Sequence, residues 1–192
     1  MKFVLASKNR HKAEEIRKIL GDGIELVTQD EAGAGNIEII EDGETFEDNA
    51  IKKAVTVMNA TGRAAIADDS GLCVDALGGR PGVRTARFAG ENATDEENIQ
   101  KLLKELDGVF PPNRGARFVC VIAVAVPGEK VRTYRGECEG SILFEKRGEN
   151  GFGYDPVFYV EKYDSSMAEL PPQIKNAISH RFNALKKLRN DL

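Results

Sequence analysis

The sequence predicts an α/β protein built on a mixed β-sheet. Short apolar segments with strand character alternate with segments of helical periodicity in the first half of the chain, as in parallel-sheet proteins. Two longer strand-like segments follow within residues 115–146 and are joined near residues 127–129, as in a hairpin. The length of 192 residues suits one domain, or two small lobes that share a sheet.

The first third of the chain is predicted to alternate between strands and helices. Three short apolar segments have strand character, residues 2–7, 24–27 and 64–67. Two segments carry apolar residues at helical spacing, residues 10–20 and the stretch from Thr45 to Gly62. The order is therefore strand, helix, strand, helix, strand.

Glycine-rich and acidic segments separate these elements from the rest of the chain. Residues 28–44 and 68–92 are predicted to be loops, and the second is long enough to favour a functional role. A helix capped by Thr94 is predicted to follow. The last elements are the two long strand-like segments, a Gly-rich loop with a short strand, and a helical tail after Pro172.

Composition narrows the class of protein. The net charge of -4 and the pI of about 5.4 argue against DNA or RNA as a partner, since proteins that bind nucleic acids usually carry a basic patch. The longest apolar run, residues 118–126, is far too short to span a membrane, and the first residues lack a signal peptide. Three widely spaced cysteines favour reduced thiols and a cytoplasmic protein.

The segment SKNRHK lies at the predicted turn between the first strand and the first helix. Backbone N–H groups at a helix N-terminus bind anions, and this segment adds cations and short donors to them. It contains no glycine, so it is not a P-loop, and it is either a phosphate-binding turn or an ordinary helix cap. Its residues are Ser7, Lys8, Asn9, Arg10, His11 and Lys12.

Two adjacent carboxylates, Asp68 and Asp69, directly follow the apolar segment 64–67, and Ser70 follows them. Ligands bind at the carboxyl ends of strands in α/β sheets. A divalent cation relieves repulsion between close carboxylates, so one could hold a metal while the other takes a proton. The alternative is a turn capped by Asp and Ser side chains, but a turn needs only one such residue.

Two further groups could complete such a site. Glu41 lies in a Gly-containing loop and is either a Mg²⁺ ligand or part of a solvated acidic loop. Lys53 shares a helix face with Asn49 and is either a functional cation or a surface lysine beside the core. A serine-esterase triad of Ser70, His180 and Asp69 is disfavoured, because the chain lacks the G-x-S-x-G elbow.

The last polar clusters are GFGYD, residues 151–155, and KNAISHR, residues 175–181. Phe152 stands between two glycines and suits stacking on a nucleobase, although it could equally belong to the core. Lys175, His180 and Arg181 offer donors for a phosphate or a keto oxygen, although the last two could equally lie on a helix surface.

Together these segments resemble the inosine triphosphate pyrophosphatase family. SKNRHK matches the opening motif of that family, DGETFEDNAIKKA its early helix, and ADDSGLCVDALGGRPGVRTARFAG its central block. GFGYDPVF and NAISHR match its two late motifs. The order and spacing agree from about residue 2 to residue 188, so the resemblance covers nearly the whole chain.

The resemblance implies a fold, a reaction and an assembly. It implies an α/β protein in which residues 1–192 form a two-lobed single domain around a long mixed sheet flanked by helices, and a homodimer. It implies Mg²⁺-dependent cleavage of ITP, dITP and XTP between the α and β phosphates, giving the nucleoside monophosphate and pyrophosphate. A related pyrophosphatase for dUTP, TTP or modified pyrimidines and a non-hydrolytic nucleotide sensor remain alternatives.

The resemblance also assigns roles to individual residues. It places phosphate contacts on residues 7–12 and on Lys53, and metal on Glu41, Asp68 and Asp69, with Asp69 as the general base. It places recognition of the base on Ser70, Phe152, Gly153, Tyr154, Asp155, Lys175, His180 and Arg181. Donors from His180 and Arg181 would suit the C6 keto oxygen of hypoxanthine or xanthine and oppose the amino group of adenine.

Overall fold

The computed structural model describes residues 2–191, and its strands form one sheet in the order β2-β1-β3-β4-β5-β6-β7. The strands are β1 Lys2–Leu5, β2 Glu25–Thr28, β3 Ala65–Val74, β4 Gly115–Ala125, β5 Arg132–Ile142, β6 Phe158–Val160 and β7 Ser165–Ser166. β1 pairs in parallel with β2 and β3, whereas β6 pairs antiparallel with β5 and β7. The predicted mixed α/β sheet is therefore confirmed.

Five α-helices accompany the sheet within the described residues. They are α1 Arg10–Leu20, α2 Phe46–Thr61, α3 Asp95–Glu105, α4 Pro172–Ile178 and α5 His180–Asp191. No described helix combines the length and the apolar character that a membrane span needs.

Local sequence explains where the first three helices begin. The Asn9 side chain accepts a hydrogen bond from the Lys12 N–H and caps α1. Thr45 and Thr94 cap α2 and α3, and each forms a reciprocal capping box with the acidic residue three positions later. Gly62 ends α2 in the left-handed conformation, at φ 64°, that glycine adopts without strain.

Two boundaries differ from the sequence prediction. The predicted loop at residues 68–92 is wrong at its start, because β3 continues to Val74 and Asp68 and Asp69 lie inside the strand. The predicted helical tail is interrupted at Ser179, whose backbone is extended (φ -64°, ψ 154°) between α4 and α5.

The chain divides into two compact units. The first consists of the chain up to Asp69, of Cys120–Gly136 and of the chain from Arg181 on. Its core joins α1 and α5 to one face of β1, β3 and β4, through side chains that include Phe3, Leu5, Ile16, Ile66, Ile122, Leu185 and Leu188.

The second unit consists of Ser70–Val119 and Glu137–His180. Its core is built from apolar residues of β3, α3, β4, β5 and β6. They include Leu72, Val74, Leu102, Phe118, Ile142 and Phe158, and Met167, which follows β7, packs with them. Each unit thus has apolar side chains of its own to exclude water around the polar groups that it carries.

Candidate functional site

Asp68 and Asp69 are consecutive residues of β3, and both are buried, at 1 % and 4 % exposure. Successive side chains of a strand point to opposite faces of its sheet. Asp68 therefore shares a face with Ile66, which packs in the core formed with α1 and α5. Asp69 points to the other face, where its partners come from α2. This separation explains how a strand holds two adjacent acids.

Asp68 is held by a set of strong donors in the first unit. Lys12 Nζ lies 2.7 Å from Asp68 Oδ1. Arg181 Nε and Nη2 donate to Asp68 Oδ2 at 3.2 and 3.1 Å, and the Cys120 thiol donates to the same oxygen at 3.2 Å. Arg181 also donates to Glu15 from Nη1.

These cations decide the ionisation of Asp68. Burial alone would raise the pKa of Asp68, but Arg181 and Lys12 outweigh burial and hold the pKa far below its ordinary value. Asp68 is therefore ionised at neutral pH. Burial and the charge of Asp68 in turn raise the pKa of the Cys120 thiol, so this cysteine stays protonated.

Asp69 has different partners on the opposite face. Lys53 Nζ lies 2.7 Å from Asp69 Oδ1 and 3.3 Å from Glu41 Oε1. The Asn49 side chain donates from Nδ2 to Asp69 Oδ2 at 3.4 Å. Burial raises the pKa of Asp69 to about 6, although Lys53 opposes this shift.

The two faces differ in their balance of charge. Asp68 and Glu15 meet two cations, Lys12 and Arg181, so that group is neutral. Asp69 and Glu41 both lie within ion-pair distance of the Lys53 ammonium. Burial by itself would lower the pKa of Lys53, but the surrounding carboxylates raise it, so Lys53 is charged.

The closeness of Glu41 and Asp69 is relevant to the Mg²⁺ site that the sequence predicts. In the described residues no three His, Cys, Asp or Glu side chains form a ready metal-binding cluster. Mg²⁺, however, is commonly held by one or two carboxylates together with waters and substrate phosphates. Asp69 and Glu41 converge on one point and supply oxygen ligands of that kind, whereas the oxygens of Asp68 are engaged by Lys12 and Arg181.

The predicted phosphate-binding turn lies at the start of α1. The Ser7 hydroxyl accepts a hydrogen bond from the Asn9 N–H at 3.2 Å, and the Asn9 side chain caps α1. Of the two roles considered for this segment, the structure therefore shows the helix cap. Lys8, Asn9, Arg10 and His11 are exposed, and Ser7 and Lys12 are half-buried. The turn thus presents cations and donors at the helix end where Lys12 reaches Asp68.

The second unit brings together Phe152, Asp155 and Lys175. Lys175 Nζ lies 2.7 Å from Asp155 Oδ2 and 4.8 Å from the centre of the Phe152 ring. Asp155 Oδ2 also accepts the Phe152 N–H at 2.9 Å. A Cβ at Gly151 would lie 2.1 Å from Asp155 Oδ2, so this loop requires glycine there.

The other predicted base-contact residues are spread over both units. Tyr154 is buried and donates its hydroxyl to the Thr85 carbonyl at 2.8 Å, and the Gly153 N–H donates to Asp95 at 2.7 Å. The His180 ring stacks on Phe118, with centroids 4.9 Å apart, and Ser70 is half-buried. Arg181 belongs to the first unit, where it is 1 % exposed against Asp68 and Glu15.

Three residues of these networks were not among the predicted site residues: Glu15, Asn49 and Cys120. Glu15 lies three positions after Lys12, a spacing that puts two side chains on one helix face. Cys120 alternates with Ile122 and Val124 along β4, which is a strand signal and carries no sign of a polar partner. Asn49 shares its helix face with Lys53, and that spacing was the available signal.

The chain is similar to known proteins over nearly its full length. The sequence profile of the Ham1 family matches residues 3–191. The chain is 53% identical over 188 residues to a dITP/XTP pyrophosphatase of Desulforamulus reducens, covering 97% of this chain and 93% of that protein. It is 50% identical over 186 residues to a dITP/XTP pyrophosphatase of Bacillus subtilis, covering 96% and 93%.

Solved structures agree with these matches. A HAM1 protein from Coxiella burnetii superimposes with a TM-score of 0.90 at 46% identity, covering 100% of this chain and 98% of that one. The Ham1 protein of Staphylococcus aureus gives a TM-score of 0.89 at 42% identity, covering 100% and 97%.

Proposed function

The chain belongs to the Ham1 family, and we propose that it is a nucleoside triphosphate pyrophosphatase for deaminated purine nucleotides. It hydrolyses dITP, ITP and XTP to the nucleoside monophosphate and pyrophosphate, and so removes these nucleotides from the pool. Relatives that are about half identical in sequence and carry the name dITP/XTP pyrophosphatase support this activity.

One observation of the site carries the chemistry that we propose: Asp69 is a buried carboxylate whose pKa is raised to about 6. Such a group is ionised at neutral pH and is still basic enough to take a proton from water. Asp69 would orient the attacking water and take its proton as the water oxygen bonds to the α-phosphorus. The bond from that phosphorus to the bridging oxygen then breaks, and pyrophosphate leaves.

Lys12, Lys53 and the start of α1 are the phosphate contacts of this proposal. Both lysines lie against carboxylates of β3, which fixes their ammonium groups near Asp68 and Asp69. The N-terminal turn of α1 adds residues 7–11 and the positive end of the helix dipole. Fixed positive charge of this kind stabilises the charge that develops during phosphoryl transfer.

Glu41 and Asp69 are the residues that we propose to hold Mg²⁺, since both carboxylates meet at the Lys53 ammonium and supply oxygen ligands. When bound, Mg²⁺ would supply charge neutralisation for the triphosphate. Asp68 was predicted as a third ligand, but we assign it to fixing Lys12, since its oxygens face Lys12 and Arg181.

Base recognition is assigned to Phe152, Asp155, Lys175, Ser70 and His180. Phe152 offers a ring for stacking, and Lys175 and His180 offer donors for keto oxygens. Arg181 is proposed to act through Asp68 rather than on the base, because its guanidinium nitrogens already donate to two carboxylates.

The remaining expectations concern the whole molecule. We propose that residues 1–192 work as one two-lobed pyrophosphatase domain, that the protein is a homodimer and that it acts in the cytoplasm. Light scattering at micromolar concentration tests the dimer directly.

A substrate panel tests the activity. We expect pyrophosphate release from dITP, ITP and XTP in the presence of Mg²⁺, with far slower turnover of ATP, GTP, dUTP and TTP. Preferred turnover of dUTP or TTP would indicate the pyrimidine alternative. Binding of dITP without turnover would indicate a nucleotide sensor, and stepwise release of orthophosphate would contradict the pyrophosphatase reaction.

A further inference from the structure

Asn49 lies at the centre of the group around Asp69 and is 1 % exposed. It stands at the fourth position of α2, one turn before Lys53. Its side-chain amide makes two hydrogen bonds with different partners. Nδ2 donates to Asp69 Oδ2 at 3.4 Å, and Oδ1 accepts the Gly43 N–H at 2.8 Å. One side chain therefore connects Asp69 to the loop that carries Glu41.

We propose that Asn49 is a positioning residue of the pyrophosphatase reaction, which fixes the Asp69 carboxylate and the Glu41 loop relative to each other. This inference rests on the proposed function. The Lys53 ammonium donates to Oδ1 of Asp69, and the Asn49 amide donates to Oδ2. These two hydrogen bonds fix the orientation of the Asp69 carboxylate. The Gly43 contact anchors the loop two residues after Glu41.

The space around Gly43 supports the same arrangement. A Cβ added at Gly43 would lie 2.7 Å from Asn49 Oδ1 and 2.8 Å from Asp48 Cβ. The loop can thus approach the amide closely only with glycine at this position. A side chain there would push the loop and the amide apart, which gives a second and independent way to disturb the contact.

The chain contains a matched residue with a structural role only. Asn98 stands at the fourth position of α3, after the same capping box, and is 3 % exposed. Its Oδ1 accepts the Ala89 N–H at 2.8 Å, as Asn49 accepts that of Gly43. Its Nδ2 donates to the Ala86 carbonyl, however, so both polar atoms of the Asn98 amide bond to backbone groups. Asn49 and Asn98 therefore have the same helix position and similar burial. They differ in that Asn49 donates to a carboxylate and Asn98 to a backbone carbonyl.

Steady-state kinetics of Asn49→Ala and Asn98→Ala with dITP and Mg²⁺ test the proposal. We expect Asn49→Ala to lower kcat about 10- to 100-fold while KM changes less than about threefold. The reason is that Asn49 donates to Asp69, the proposed general base, and not to the phosphates of the substrate. Asn98→Ala should lower the unfolding midpoint and leave kcat within about threefold. Equal kcat losses in both variants, or an unchanged kcat in Asn49→Ala, would overturn the proposal.

Asn49→Asp distinguishes the contact with Asp69 from the contact with the Gly43 N–H. It keeps an acceptor for the Gly43 N–H and replaces the donor to Asp69 by a second carboxylate. Hydrogen exchange of the Gly43 amide, measured without nucleotide or metal, should stay protected in Asn49→Asp and become fast in Asn49→Ala. The kcat of Asn49→Asp should nevertheless fall at least as far as that of Asn49→Ala. A wild-type kcat in Asn49→Asp would overturn the role of the carboxylate contact.

A double-mutant cycle completes the test. Gly43→Ala should lower kcat in the wild-type background and have a smaller effect in Asn49→Ala, since contacting residues are not additive. Full additivity would count against the contact. A wild-type chain that releases no pyrophosphate from dITP or XTP would refute the proposed function itself. Gly43 exchange needs no turnover, and unchanged exchange in Asn49→Ala would still refute the anchoring of the loop.

Discussion

Asp68 and Asp69 are neighbours in β3, and each carboxylate has its own lysine at 2.7 Å, Lys12 for Asp68 and Lys53 for Asp69. Asp68 has Arg181 as a second cation and stays ionised. Asp69 shares its lysine with Glu41, and its pKa rises to about 6. The same residue type thus gives an ionised carboxylate on one face and a carboxyl group with a raised pKa on the other.

Asp69→Asn removes the proposed proton acceptor and preserves the shape of the side chain. We expect kcat for dITP to fall about 10²- to 10⁴-fold, the usual contribution of a general base, while the dITP affinity changes little. Pyrophosphate release and calorimetric binding measure the two quantities. Asp75→Asn, at an exposed aspartate paired with Arg117, is the control and should keep wild-type kcat. Substantial turnover by Asp69→Asn would assign the base elsewhere.

The raised pKa of Asp69 predicts a dependence of stability on pH. Because the folded pKa of about 6 exceeds the ordinary value of about 3.9, the fold favours neutral Asp69. This contribution is complete below the unfolded pKa and is lost as pH rises through about 6. Asp69→Asn should therefore gain stability relative to wild type between pH 4 and pH 7, by up to about 3 kcal/mol. Urea unfolding in metal-free buffer measures this, and a difference that is constant with pH contradicts it.

Arg181→Met would leave Asp68 and Glu15 without their shared cation. Breaking a buried ion pair by removing one partner typically costs about 3–5 kcal/mol, so we expect a loss of that order in the free energy of unfolding. Arg117 also pairs with two acids, Asp75 and Glu139, but on the surface. Arg117→Met should cost less than about 1 kcal/mol. Equal losses in urea titrations would refute the structural role of Arg181.

Phe152→Ala removes the ring proposed to stack on the base. Stacking on an aromatic side chain contributes roughly 1–3 kcal/mol per base, so KM for dITP should rise about 5- to 150-fold. Phe110, which is 65% exposed in the second unit, provides the control variant Phe110→Ala. An unchanged KM in Phe152→Ala would exclude stacking on this ring.

The sequence predicts those elements whose signals are local. Residues 10–20 form α1 as predicted, because a cap at Asn9 and an apolar stripe define the helix within a few residues. The same holds for α2 between Thr45 and Gly62. Family resemblance supplied the residue roles, and the structure adds the contacts between those residues.

The rest depends on partners that are distant along the chain. The sequence predicts Asp68 and Asp69 at the start of a loop, because residues 68–92 are rich in Gly and Asp. The strand continues because Lys12, Arg181 and Lys53 reach them from three helices. The amide of Asn49 likewise has a carboxylate partner, whereas that of Asn98 has only backbone, although both follow a Thr-capped turn. No local pattern distinguishes these two asparagines.

The ion pair between Asp68 and Arg181 also bears on how the protein is synthesised. The two residues are 113 positions apart, so a ribosome adds Arg181 roughly 6 to 23 s after Asp68 at the usual 5–20 residues per second. Until then the carboxylate lacks the guanidinium that offsets its removal from water. This ion pair can therefore form only after translation has passed Arg181, so the contacts of Asp68 are completed late in synthesis.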